Sequence, residues 1–161
     1  MASSRDFTAS IDAALVEALA PGLARAPRLC VALSGGRDSV VLLHALSRLV
    51  AEGRLTAELT ALHVHHGLSD NAEDWVAFCA DCCDALGVPL QVARVAVRRD
   101  SGEGIEGAAR RARHAVFAET PADWLVLAHH RDDQAETVLL NLLRGAGVAG
   151  AAGMPRVRSV A

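Results

Sequence analysis

The sequence predicts an α/β fold: an open, mostly parallel sheet with helices on both faces. Three observations lead there. Short apolar runs alternate with longer segments of helical periodicity four times along the chain, the pattern of strands joined by helical crossovers. The runs are apolar almost throughout, as strands covered on both faces require. Polar clusters follow the first, second and fourth runs, at the strand ends where open α/β sheets bind their ligands.

Taken in order, residues 8–20 have the amphipathic spacing of a short helix, and APGLARAPR after them is a connector marked by proline and glycine. RLCVALS, 28–34, reads as the first strand. DSVVLLHALSRLVAEG, 38–53, reads as a helix closed by Gly53. TAELTALHVHH, 56–66, is the second strand. Residues 71–87 form a helix that starts at Asn71 and stops at Gly87. VPLQVARVAV, 88–97, is the third strand and RRDSGEG, 98–104, a polar loop. A helix over 105–119, a fourth strand over 123–129 and a helix over 132–145 complete the alternation. The final GAGVAGAAGMPRVRSVA reads as a glycine-rich loop leading into an extended segment.

Composition narrows the chemistry. With 52% hydrophobic and 22% charged residues, the 161-residue chain is built to bury a core and is not disordered. Its net charge of −3 carries no global polyanion signature, so any phosphate site is a local patch. All 16 basic side chains are arginine. That excludes a lysine nucleophile, a lysine Schiff base and a Walker-type phosphate lysine from this chain. The N-terminus lacks a basic start followed by an apolar core, so no signal peptide is expected, and no apolar run is long enough for a membrane span. Three of the four cysteines fall within five residues, a poor disulfide framework, so a reducing, cytoplasmic setting is expected.

Ser34-Gly35-Gly36-Arg37-Asp38-Ser39 lies where the first strand turns into a helix. Two glycines let an anion approach the backbone, the helix N-terminus offers N–H groups, and two serines add hydroxyls. Asp38 would repel bare phosphate and so suits a bound Mg²⁺. A tight turn capped by Asp38 or Ser39 is the plainer alternative. His129-His130-Arg131-Asp132-Asp133-Gln134-Ala135-Glu136 follows the fourth strand. Asp133 and Glu136 have capping-box spacing, yet the cluster holds more charge than a cap needs. Arg110 and Arg113 are neighbours on one helix face, either a solvated basic stripe or a site for developing negative charge. In HVHHGLSDN, His63 and His65 lie on one strand face and His66 on the other, as metal ligands or as a wall for a nucleobase. Cys79, Cys82 and Cys83 share a helix face with Trp75 and Leu86 and read as packed small hydrophobes.

Together these segments resemble a known family. SGGRDS is similar to the PP-loop of the N-type ATP pyrophosphatases. VALSGGRDSVVLLHAL, LHVHHGLSDNAEDW, GIEGAARRARHAVF, LAHHRDDQAETVLLNLLRG and GAGVAGAAGMP together resemble the N-terminal domain of the tRNA(Ile)-lysidine synthases. The resemblance implies a Rossmann-like sheet of the adenine nucleotide alpha hydrolase-like type. It divides the chain into an N-terminal helix and connector over 1–27 and a PP-loop ATP-binding catalytic domain over 28–161, incomplete at its C-terminal end. It implies a ligase that uses ATP and Mg²⁺, adenylates C2 of the wobble cytidine of tRNA(Ile) with a CAU anticodon, and joins free L-lysine to it. Ser34, Gly35, Gly36, Arg37, Asp38 and Ser39 would bind ATP. Asp38, Arg113 and Asp133 would be catalytic, with Asp38 and Asp133 handling Mg²⁺, and Arg110, Glu136 and His129 would support them. The resemblance implies no membrane partner and leaves room for a homodimer. A tRNA cytidine thiolase, another PP-loop ligase and a non-catalytic ATP-binding module are the competing readings. The thiolases carry a cysteine pair just before the arginine helix, where this chain has GEGIEGAAR.

Overall fold

The computed structural model describes residues 4–23, 28–97, 104–148 and 150–160. The expected loop at 98–104, apart from Gly104, and residues 24–27 of the expected connector lie outside the described residues. Two compact units divide the chain, Met1–Leu127 and Ala128–Ala161.

The first unit is built on four parallel strands in the order β3-β2-β1-β4. They are β1 (Arg28–Ala32), β2 (Glu58–His65), β3 (Leu90–Arg94) and β4 (Trp124–Val126). The helices are α1 (Ser4–Leu23), α2 (Arg37–Ala51), α3 (Ala72–Leu86) and α4 (Gly104–Glu119). From β1 the chain steps outward to β2 and β3, then returns to place β4 on the other side of β1. The strand order therefore reverses at β1, and the loop leaving β1 sits at the position where such sheets open a crevice.

Burial explains the two layers. Leu29, Val31 and Leu33 of the β1 segment and Ala61 of β2 face Leu43, Leu46 and Leu49 of α2 and Cys79 and Cys83 of α3, with all of these side chains almost wholly buried. The opposite sheet face carries Cys30 and Leu62, which pack on Phe117 of α4. α2 presents its leucines at helical spacing, and α3 ends where Gly87 takes a left-handed conformation (φ 64°).

The structure corrects the expected boundaries in two ways. α1 runs from Ser4 through Pro21 to Leu23, beyond the 8–20 reading. Leu15, Val16, Leu19 and Leu23 pack against the core, and that anchoring outweighs the one hydrogen bond Pro21 cannot donate near the helix end. The strands are shorter than the apolar runs. β4 pairs only three residues with β1, Trp124 to Val126 against Leu29 to Val31. Apolarity records burial, whereas a strand also needs a partner backbone, and an edge strand has it on one side only. The second unit holds α5 (Arg131–Leu143) and a short 3₁₀ turn, Gly150–Ala152, where a loop running into an extended segment was expected.

Candidate functional site

The β1–α2 loop is held by a closed set of hydrogen bonds. The buried Ser39 hydroxyl donates to the Gly36 carbonyl at 2.8 Å and accepts the Ser34 N–H at 3.2 Å. Its one proton is thus used, so the Ser34 hydroxyl, 3.0 Å away, donates to it. Ser34 Oγ in turn accepts the Gly36 N–H at 3.2 Å. Ser39, expected as a phosphate donor, shapes the loop from beneath, while Ser34, Gly36, Arg37 and Asp38 lie on the exposed side. No side chain caps α2 at Gly36. The first-turn N–H groups of a helix have no acceptor within it and carry the positive end of its dipole, so an uncapped N-terminus is suited to an anion.

Gly35 is required twice over. Its φ of 84° lies in the left-handed region, and a Cβ there would stand 2.9 Å from Trp75 Cε3 and 3.3 Å from Cys79 Sγ. The indole of Trp75 therefore lies against the buried side of the loop. Its ring meets Phe78 edge-on, with centroids 6.2 Å apart. Trp75 was expected on the face of the packed cysteines, yet it is 47% exposed, so it bridges the core and the surface beside the loop.

The histidines of β2 divide as their alternation requires. His63 is buried. Its Nδ1 lies 2.8 Å from the Leu33 carbonyl, which fixes a proton on that nitrogen, and 3.4 Å from Cys79 Sγ. His63 thus ties the end of β1 to β2 and is not a metal ligand. His65 Nε2 is 3.3 Å from Glu73 Oε1 without hydrogen-bond geometry, and Glu73 itself is paired by both ends of the Arg94 guanidinium at 2.6 and 3.0 Å. No group of three or more metal-ligating side chains occurs among the described residues, so the metal reading of these histidines falls away.

Cys30, Cys79, Cys82 and Cys83 are free thiols, all buried except the half-buried Cys82. Burial, reinforced by neighbouring thiols, pushes Cys79 up to about 11, and burial followed by Cys82 and Asp84 does the same to Cys83. They are packing residues, as expected.

On the other sheet face α4 brings in Arg113. The guanidinium is half-buried, and its Nε has no hydrogen-bond partner among the described residues. Burial, followed by the nearby charge of Arg110, lowers its pKa. Arg110 itself is exposed. A half-buried cation with no carboxylate paired to it among the described residues suits an anionic ligand. His66, beyond the last residue of β2, also has a buried Nδ1 without a hydrogen-bond partner among the described residues. Neither its position nor its burial follows from a count of histidines, although its place two residues beyond Val64 on the Leu62 row is readable from the sequence.

In the second unit His130 is the N-cap of α5. Its Nδ1 accepts the Asp132 N–H at 3.2 Å, and Asp133 Oδ2 accepts the His130 N–H at 2.8 Å. The capping box is therefore His130 with Asp133, one turn earlier than the Asp133–Glu136 spacing suggested. His129, Asp132 and Glu136 are exposed. Gln134, which the sequence reading passed over, clamps the glycine-rich segment. Its amide donates to the Met154 carbonyl and accepts the Met154 N–H, both at 2.7 Å. Gly153 lies so close that a Cβ would meet Gln134 Oε1 at 2.9 Å.

Comparison with known proteins agrees with this geometry. The PP-loop domain family model matches residues 6–161. The chain is 53% identical over 138 residues to the tRNA(Ile)-lysidine synthase of Azoarcus sp. (strain BH72), covering 86% of this chain and 30% of that protein. It is 56% identical over 138 residues to that of Xanthomonas campestris pv. campestris (strain 8004), covering 84% and 31%. It therefore spans about three tenths of the length of these relatives. Among solved structures, the U34-tRNA thiolase NcsA from Methanococcus maripaludis superimposes with a TM-score of 0.62 at 19% identity, over 87% of this chain and 52% of that one. That likeness is one of fold. The family match over nearly the whole sequence coincides with an uncapped, glycine-shaped loop at the point of strand reversal, and this chain belongs to the PP-loop domain family.

Proposed function

We propose that this chain is the ATP-handling part of a tRNA(Ile)-lysidine synthase. The observation that carries the reading is its identity of more than half, over 138 residues, to proteins of that name. In the proposed reaction the C2 carbonyl oxygen of the wobble cytidine in tRNA(Ile) with a CAU anticodon attacks the α-phosphorus of ATP, and pyrophosphate leaves. An amine of free L-lysine then attacks C2, and AMP leaves with the oxygen.

A leaving pyrophosphate suits a loop without lysine, because backbone N–H groups, joined by the Ser34 hydroxyl once it turns from Ser39 Oγ to the ligand, can hold it while no γ-phosphoryl is passed on. Ser39 keeps the loop in shape through its bond to Gly36. Arg113 is the cation for charge developing at the α-phosphate, with Arg110 beside it. Mg²⁺ commonly binds through one or two carboxylates together with substrate phosphates and waters. Asp38, exposed in the first turn of α2, fits that role, and Asp133 keeps one carboxylate oxygen beyond the one used in the cap. When bound, the ion supplies neutralisation of phosphate charge. Glu136 and His129, exposed on the second unit, are proposed as supporting residues.

A thiolase reading is disfavoured because the described cysteines pack in the core and none stands in GEGIEGAAR. A purely ATP-binding module is disfavoured because the relatives that share more than half of these residues are named as synthases.

The test is ATP-dependent incorporation of labelled lysine into tRNA(Ile), with pyrophosphate release measured alongside, in the full-length parent protein. Asp38→Asn and Arg113→Ala are expected to abolish both. Normal incorporation by either variant would remove that residue from the proposed site. Sulfur transfer in place of lysine transfer would overturn the reaction.

A further inference from the structure

Two orphaned polar atoms lie on the same side of the first unit, and the fold explains why. Leu62, Val64 and His66 form one row along β2 and its exit, and Leu62 packs on Phe117 of α4. Arg113 precedes Phe117 by one helical turn, hence on the same α4 face. α4 runs back across the sheet between two parallel strands, β3 and β4. One turn back along α4 from Phe117 therefore moves toward the C-terminal sheet edge, as the step from Leu62 to His66 does. There Arg113 Nε and His66 Nδ1 are both buried without a hydrogen-bond partner among the described residues. A buried polar atom without a partner costs about 1–3 kcal/mol, and two on one side of the sheet, near enough for the Arg113 charge to act on His66, point to a ligand that supplies the missing bonds.

We infer that His66 is a substrate-contacting residue: its Nδ1–H and the Arg113 Nε–H together grip a phosphate oxygen of the bound nucleotide. The inference rests on the ATP reading above and adds a residue to it. The charge state fits. Burial, then Arg113, then His63 and His65 hold the His66 pKa below the ordinary histidine value. The ring is neutral near pH 7, so it donates one hydrogen bond without adding a second positive charge beside Arg113. A neutral donor next to a fixed cation binds an anion with direction as well as charge.

Substitution can separate the two ring nitrogens. An asparagine amide reaches the place of Nδ1, whereas a glutamine amide reaches that of Nε2. MgATP binding to the wild-type chain and to His66→Asn, His66→Gln and His66→Ala is measured by titration calorimetry, with far-UV circular dichroism of each. Binding is expected to weaken about tenfold or more in His66→Gln and His66→Ala, and to stay within about threefold of wild type in His66→Asn. Adenosine, which lacks the phosphates, is expected to bind all four equally. Equal MgATP affinity in all four proteins overturns the inference and leaves the ATP reading standing. So does an asparagine variant as weak as alanine, or an equal loss for adenosine. A wild-type chain that does not bind MgATP overturns the ATP reading and this inference with it.

Discussion

Replacing Gly35 with alanine tests the left-handed turn and the indole packed beneath it. Two costs add. Alanine at φ 84° pays the left-handed penalty of about 1–2 kcal/mol. Its methyl meets Trp75 Cε3 at 2.9 Å and Cys79 Sγ at 3.3 Å, an overpacking of about 1–3 kcal/mol. Against these stands a gain of about 0.5 kcal/mol from a stiffer unfolded chain. The net destabilisation is about 1.5–4.5 kcal/mol, its lower end reached if the half-exposed indole swings aside. Gly36→Ala is the control. Gly36 is extended at φ −70° and ψ 155°, its added Cβ meets only Ser34 Oγ, at 3.3 Å, and its stability should stay within about 0.5 kcal/mol of wild type.

The assay is equilibrium urea unfolding followed by far-UV circular dichroism, since fluorescence would change with the tryptophan variant used next. Trp75→Ala in the Gly35→Ala background removes the ring that the new methyl strikes. The double-mutant cycle should therefore show a favourable coupling of about 1–3 kcal/mol, leaving the backbone penalty alone. A Gly35→Ala protein as stable as wild type would refute the loop conformation. A cycle with no coupling would refute the placement of Trp75 against it.

Three further perturbations probe the same fold. Ser39→Ala removes the acceptor of the Ser34 N–H and the donor to Gly36; it should cost about 1–2 kcal/mol in urea unfolding and weaken MgATP binding, while the exposed Ser34→Ala should weaken binding with little loss of stability. Cys79 and Cys83, raised to about 11, are ionised at about one part in a thousand at pH 8, so iodoacetamide followed by peptide mass spectrometry should leave both unmodified in the folded chain and modify both in urea. Asp12 on α1 is bonded by Arg48 and by Arg54, the latter at 3.0 Å, and the Arg48 bond is the main cause of its lowered pKa. That contribution is complete above the ordinary carboxylate value of 3.8 and is lost as pH falls through the lower folded value, so Asp12→Asn should flatten the acid limb of the stability profile, and an unchanged acid limb would show that the α1 clamp does not form.

The elements of the fold were legible because each rests on a local signal. Gly87 closes α3 in the left-handed conformation a glycine favours, and Asn71 stands at its N-cap, though without a side-chain capping bond; the apolar run of β1 predicts a strand buried on both faces. What the sequence hid was the choice among partners. Asp133 could cap or coordinate, and spacing favours a box with Glu136. The structure shows His130 as the cap that Asp133 answers, because the chain leaves β4 in an extended conformation that ends at His130 and not later. His63, His65 and His66 are one string in sequence and three environments in space. Alternation separates the faces, yet only the Leu33 carbonyl at 2.8 Å shows that His63 is spoken for, and only its buried Nδ1 without a partner among the described residues shows that His66 is not.

The same contrast separates the two kinds of serine in the loop. Ser34 and Ser39 look alike as hydroxyls flanking glycines. Tertiary burial assigns Ser39 to the scaffold and leaves Ser34 at the surface, so the first holds the shape that the second uses. A loop braced from below by a serine and an indole needs no lysine to order it around a phosphate. Its positive potential comes from the α2 N-terminus. Arg113, half-buried on the opposite sheet face, adds a fixed cation for the phosphate and for the charge that develops on it. On this division a Ser39 variant should lose loop order and nucleotide affinity together, whereas an Arg113 variant should keep the loop's order and lose turnover.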